Sequence, residues 1–283
     1  LAMKVALARY GEDGLDRERI EMVRHETGLD TPVLKLYLEW VKGILSFDLG
    51  HSMVTGEPVM KTIRFHLVMS LILGACGMAV SLLIAVPIGV LAGLNPGSKI
   101  DFISAGFSSL VVSVPSFVLG ACLILLFSVR LKLLPAAGFF SPESVILPAV
   151  TLGLALASVS CRVIRTAVAE VKDSAYIVFA WLKGLNGVRI FFRHGLRNGA
   201  VPVVTFLALQ LAHVLDGVVV LENLFNWPGI GVLLLESIQG RDLSMIQGVT
   251  MIIGFIYVGL NLTGDLVCAW LDPRQVSGNR GAL

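Results

Sequence analysis

Polar and apolar positions separate along this chain into blocks instead of alternating. No Asp, Glu, Lys or Arg occurs between Arg64 and Lys99, or between Asp101 and Arg130. Each gap exceeds the ~20 apolar residues that cross a hydrocarbon core. The same pattern along the whole chain predicts five spanning helices, at about 66–94, 102–129, 145–163, 201–221 and 246–271. The first two are apolar all round and longer than the minimum, which predicts tilt or overhang. Leu94 to Ser98 has the chemistry of a tight turn, with Asn95, Pro96 and Gly97. Pro87, Pro115 and Pro148 fall inside spans, where they free backbone carbonyls and predict bends. One block breaks the rule: residues 164–200 are polar and basic, set between two apolar segments.

Composition agrees with that pattern. Hydrophobic residues make up 55% of the chain and charged residues 15%, and mean hydropathy is +0.83. Those values exclude an ordinary soluble domain and give an all-α, polytopic membrane bundle. A net charge of +2 is too small to argue for nucleic acid. Cys76, Cys122, Cys161 and Cys268 all lie in apolar segments, without metal-ligand spacing, and read as small buried side chains. The first thirty residues are polar and charged, unlike a signal peptide.

Basic residues set the orientation. The segment 162–197 carries Arg162, Arg165, Lys172, Lys183, Arg189, Arg193 and Arg197 against Glu170 and Asp173, whereas 222–245 has only Arg241. The positive-inside rule puts the first segment in the cytoplasm. Alternation then places 95–101 and the tail inside, and residues 1–64, 130–144 and 222–245 outside. A large outer N-terminal segment has no upstream span to deliver it, so the expectation is that a first transmembrane helix has been lost. Within that segment Asp16 caps a predicted helix through Ile20 and Val23 to Gly28. A second is predicted from Val33 to Leu45, with Leu34, Tyr37, Leu38 and Val41 on one face.

A set of short motifs then matches a family. They include Gly28 to Pro32, Tyr37, Trp40, Phe47 to Ser52 and Gly56 to Val59. They continue at Lys183–Gly184–Leu185, Arg193–His194, Arg197–Asn198 and Val201 to Thr205. Val220 to Gly231 and Leu271 to Arg274 complete the series. In this order and with these spans between them, the chain resembles the transmembrane permease subunits of bacterial ABC importers, in the dipeptide, oligopeptide and nickel branch. The resemblance covers nearly the whole chain. It implies the bundle of a type I importer permease, here with five spans, the first of the usual six missing. The implied division is a periplasmic segment 1–64, a transmembrane domain 65–275 with a cytoplasmic coupling loop 164–200, and a tail 276–283.

In that family a short coupling helix in the cytoplasmic loop docks in a groove on the ATPase. Its pattern of small residues followed by a glycine corresponds here to Val178, Phe179 and Ala180, then Gly184; only Ala180 keeps the family's small residue. Phe179, Trp181 and Leu185 supply apolar anchors, Gly184 allows close backbone approach, and Lys183 adds solvated charge. From composition alone, 165–200 reads equally well as a charged loop obeying the positive-inside rule.

No phosphate-binding loop is present, so the expectation is a transport subunit with no enzymatic activity, cofactor or metal of its own. Gln210, His213 and Asp216, three apart in the span 201–221, lie within an arc of about 120° and are candidate pore-lining residues. His213 and Asp216 read alternatively as structural glue, and Asn261 and Asp265 in the last span read as structural. The apolar run from Val232 is too short to span and fits a re-entrant or interfacial helix.

The resemblance implies peptide import, with a second homologous permease, two ATP-binding subunits and a periplasmic solute-binding protein as partners. A nickel importer and a truncated nonfunctional copy are the alternatives. A secondary transporter or channel would need inverted repeats or an intramembrane ion site, and neither is evident.

Overall fold

The structure, a computed structural model, describes residues 32–46, 48–183 and 196–271, together with Ala6, Asp16, Glu18, Glu21 and Met22. Inside its helices the side chains at 33, 36, 39, 178, 181, 196–198, 212, 213, 215, 216 and 271 fall outside that description. The helix expected between Asp16 and Gly28, the residues Gly184 and Leu185, and the tail 276–283 lie outside the described residues.

The described elements are helical. In chain order they are α1 (Val33–Leu45), α2 (Val59–Leu94), α3 (Lys99–Ser113), α4 (Ser116–Leu123), α5 (Ile146–Lys172), α6 (Ala175–Leu182), α7 (Leu196–Phe225), α8 (Ile230–Gln239) and α9 (Leu243–Leu271). Among the described residues, three helices are long and apolar enough to cross a membrane, or up to five if each of two bent pairs forms one span.

The expected spans at 66–94, 145–163 and 246–271 are found within longer helices, the one at 102–129 is broken, and residues 201–221 lie within α7. α2 starts at Val59 instead of 66, and α5 runs nine residues past 163, to Lys172. The span expected as continuous over 102–129 is interrupted: α3 and the helical stretch from Ser116 to Arg130 meet at 101°. Pro115 is the cause. Its ring disfavours the helical region for the residue before it, and Val114 is extended at φ −105°, ψ 125°. The other prolines do not break their helices. Pro148 sits in the first turn of α5, where the missing N–H matters least. Pro87 is carried within an uninterrupted α2.

Two compact units result, one of residues 1–70 and 228–256, the other of residues 71–227 and 257–283. In the first, Val59, Ile63, Ile230, Leu233, Met245 and Val249 form a buried core. Segment 48–58 is a tight loop, with Gly50 and Gly56 at φ +73° and the Val59 N–H donating to the Gly50 carbonyl at 3.0 Å. It is fixed through Asp242, a buried carboxylate that accepts from the Ser52 hydroxyl and from the Met53 N–H. Asp242 also accepts from the Met245 N–H at 3.2 Å and so caps α9. The Ile230 N–H, an orphan at the start of α8, donates to Ser70 Oγ at 2.8 Å. Segments 1–64 and 222–245, which charge alone assigns to the same side of the membrane, therefore touch.

In the second unit α5 packs against α3, α4 and α7. Ala85 of α2 and Ala157, Cys161 and Ile164 of α5 form a buried cluster. At the other end of the unit Trp227 is buried edge-to-face on Phe139, with ring centroids 5.1 Å apart. Glu222, expected in an outer loop, lies on α7 and is fully buried.

Candidate functional site

The basic block begins as helix, not loop. Arg162, Arg165, Glu170 and Lys172 lie on the same uninterrupted α5 that forms the preceding span. That rod is about 40 Å long at 1.5 Å per residue. Two contacts tie its polar end to the turn 94–98. Arg165 grips Asp101 bidentately, Nε to Oδ1 at 3.0 Å and Nη2 to Oδ2 at 2.8 Å. Lys172 Nζ donates to the Leu94 carbonyl at 2.8 Å. Gly97, at φ +78°, turns its N–H onto Asp101 Oδ2, and Ser98 caps α3 by accepting from the Asp101 N–H.

Asp101 lies at the polar end of α3, ahead of the apolar run. Its hydrogen bonds from Arg165 and the Gly97 N–H, helped by the guanidinium charge and opposed by partial desolvation, lower its pKa from 3.8 to about 2. The same contact raises Arg165. A carboxylate depressed on folding contributes stability above its unfolded pKa, and that contribution is lost as pH falls from about 4 towards 2. The pair is therefore charged throughout the physiological range. Asp101→Asn is expected to lower the thermal midpoint of the purified protein at neutral pH, and the exchange Asp101→Arg with Arg165→Asp to recover part of the loss. An unchanged midpoint in Asp101→Asn would show that the pair carries no stability.

A turn at Asp173 and Ser174 leads from α5 into α6, eight residues of largely apolar sequence. Ile177 and Ala180 are buried against Val171 of α5. Around the rest of the helix Tyr176, Phe179 and Leu182 recur every third residue and are exposed by 39%, 64% and 78%. Lys183, just after the helix, is exposed too. Phe179 and Ala180 thus have different jobs: the first points away from the bundle, the second seats the helix on it. The Trp181 side chain, Gly184 and Leu185 lie outside the described residues.

The polar trio of the fourth span divides. Gln210 is buried, its Oε1 3.0 Å from Ser160 Oγ and its Nε2 donating to the Leu156 carbonyl at 3.2 Å. Both ends of that amide hold α7 to α5. Positions 213 and 216 share an arc of α7 with Leu209 and Val220, which are 48% and 46% exposed. The side chains of His213 and Asp216 lie outside the described residues. Among the described residues no three His, Cys, Asp or Glu side chains converge as a metal site.

Comparison with known proteins matches these features. Residues 85–277 match the family described as the binding-protein-dependent transport system inner membrane component. The chain is 35% identical over 258 residues to the glutathione transport system permease protein GsiC of Pectobacterium atrosepticum, covering 91% of this chain and 84% of that protein. It is 34% identical to a probable peptide ABC transporter permease protein of Sinorhizobium fredii, covering 91% and 85%. In fold it is similar to a chain of the inward-facing MetNI methionine ABC transporter, with a TM-score of 0.62 at 16% identity, covering 76% of this chain and 99% of that one. The chain belongs to the binding-protein-dependent transport system inner membrane components: it is a multi-pass inner-membrane permease subunit of an ABC importer, working with ATPase and binding-protein partners and not itself an enzyme.

Proposed function

We propose that this permease imports small peptides, of the di- and oligopeptide class that includes glutathione. It would pair with a second, homologous permease, on two ATPases and beneath a periplasmic receptor. The observation that carries the coupling half of this reading is α6. Its inner side is seated on α5 and its outer side offers Tyr176, Phe179 and Leu182 to a partner groove. Closure of the ATPases on ATP would push α6, and α5 as a stiff rod would carry the displacement into the span. Gly184, directly after Lys183, would give the backbone its close approach to the partner.

The peptide half rests on the names of the relatives, glutathione and peptide permeases. Nickel import has no comparable support. Gln210 holds α5 to α7, so the pore-lining role is proposed for His213 and Asp216 alone. Leu209 and Val220 on the same arc of α7 are exposed in the subunit, and ionisable groups in a bilayer need a partner or water. The test is uptake by cells lacking their own peptide importers, supplied with this chain and its neighbouring genes. Accumulation of labelled dipeptide, tripeptide or glutathione, uncompeted by nickel, is expected. Nickel accumulation without peptide uptake would overturn the reading.

A further inference from the structure

α1 is an amphipathic helix whose apolar side is largely exposed. Leu34, Tyr37, Leu38, Val41 and Leu45 fall within an arc of about 100°. Leu34 is 71% exposed, Leu38 58% and Leu45 77%. Tyr37 and Trp40 pack on each other at 6.0 Å along one border of this stripe. The exposed Lys35 and Lys42 lie along the other. The helix ends close to a membrane span. Ser46 closes it, the Asp48 N–H returns to the Gly43 carbonyl at 2.8 Å, and the Gly50 carbonyl accepts from Val59, the first residue of α2. The loop between is pinned by Asp242 to the start of α9, another spanning helix. So α1 is held at the level where two spans leave the bilayer.

From these observations we infer that α1 lies flat on the outer surface of the membrane as a lipid-binding element. The Leu34–Leu45 stripe enters the boundary between headgroups and acyl chains. A helix with one apolar stripe, aromatic rings at its border and lysines on its flank has the chemistry of an interfacial helix. Tyr37 and Trp40 match the headgroup level, where rings with one apolar and one polar edge collect. Lys42 reaches anionic phosphates while its stem covers apolar surface. A soluble receptor that docks and leaves would expose this stripe to water in every cycle. A bilayer covers it at all times. The consequence is mechanical: α1 steadies the outer ends of α2 and α9 against the membrane while other parts of the subunit move.

The experiment uses the full chain in its assembled importer, in vesicles of phosphatidylethanolamine and phosphatidylglycerol. A phospholipid with a diazirine on its acyl chain is activated by light, and adducts are mapped by mass spectrometry. Leu34, Tyr37, Leu38 and Leu45 are expected to be labelled as Leu83 and Val258 are, two exposed residues of spanning helices, with Lys35 and Lys42 unlabelled. In Leu38→Asp, labelling of α1 is expected to fall while that of Leu83 stays. The inference is overturned if the stripe takes no label while Leu83 and Val258 do, or if Leu38→Asp leaves labelling unchanged. It is overturned equally if the stripe becomes protected only when the periplasmic receptor is added, which would make α1 a receptor-docking surface.

Discussion

Phe179→Asp is expected to abolish peptide uptake while the permease stays in the membrane at its normal level. Phe179 is 64% exposed and makes no part of the small core of Ile177, Ala180 and Val171 that seats α6 on α5. Removing it deprives the bundle of little packing. If α6 docks on an ATPase, the aromatic ring is the natural anchor, and aromatic anchors at interfaces are worth about 2 kcal/mol or more. A loss of that size weakens docking about thirtyfold, and a buried carboxylate in an apolar groove adds a desolvation penalty. Leu182→Asp, at 78% exposure, is expected to act in the same direction, as is Gly184→Asp just beyond the helix. Ile177→Asp should behave differently, because that side chain is buried and its replacement should lower the amount of folded protein. The decisive measurement is ATPase co-purification beside uptake: Phe179→Asp should lose both and Ile177→Asp should lose the permease itself. Wild-type uptake by Phe179→Asp would remove α6 as the coupling element.

What the sequence made legible and what it left hidden divide along physical lines. Charge-free gaps longer than a bilayer crossing located α2 and α9, because an uncompensated charge in lipid is costly over a whole window of residues. The amphipathic period of α1 was visible for the same reason of summed signal. Hydropathy gave no warning of the break at Val114 and Pro115. A segment that is apolar all round has no period to interrupt, and Pro87 in similar surroundings sits inside a continuous helix. The overhang of α5 was read as loop because Arg162, Arg165 and Lys172 end the apolar run, although they continue the helix. Long-range pairs were invisible. Asp101 and Arg165 are 64 residues apart, Ser52 and Asp242 190 apart, and no local pattern marks either partner. Gln210 shows the opposite failure: its spacing with His213 and Asp216 suggested one polar stripe, yet its amide holds two helices together. Spacing assigns an arc of a helix; it does not say which neighbour fills that arc.

The second large effect expected is one of stability, and it reverses sign between two glycines. Gly77, Ser81, Ala85, Gly89 and Gly93 are all buried and follow one another at intervals of four along α2, a row of small side chains. The three glycines lie close against α5: a Cβ on Gly77 would come 2.5 Å from Leu152 Cδ2, one on Gly89 2.8 Å from Ile164 Cβ, and one on Gly93 2.6 Å from the Arg165 carbonyl oxygen. In lipid, where apolar surface gains nothing by leaving the solvent, such close approach is what binds helices. The three sites differ in how far they can yield. At Gly77 the obstacle is the Leu152 side chain from Cδ2 to Cβ, only the outer part of which can turn aside. At Gly93 it is backbone, so Gly93→Ala must push α2 and α5 apart. Overpacking of that kind costs about 1–3 kcal/mol, enough to deplete a marginally stable protein. Gly106→Ala meets open space in α3, and there the better helix propensity of alanine should give neutral or slightly raised stability, by up to about 1 kcal/mol. The damage at Gly93 should also reach transport, because the carbonyl it abuts belongs to Arg165, whose guanidinium holds Asp101. Separating the helices there loosens the attachment of the α5 rod to the turn at 94–98, next to the element proposed to receive the ATPase stroke. Thermal midpoints of Gly77→Ala, Gly93→Ala and Gly106→Ala in one detergent, with uptake measured for each, test the order. Gly93 should fall furthest, Gly77 less and Gly106 not at all; equal midpoints at Gly93 and Gly106 would sink the close-packing account.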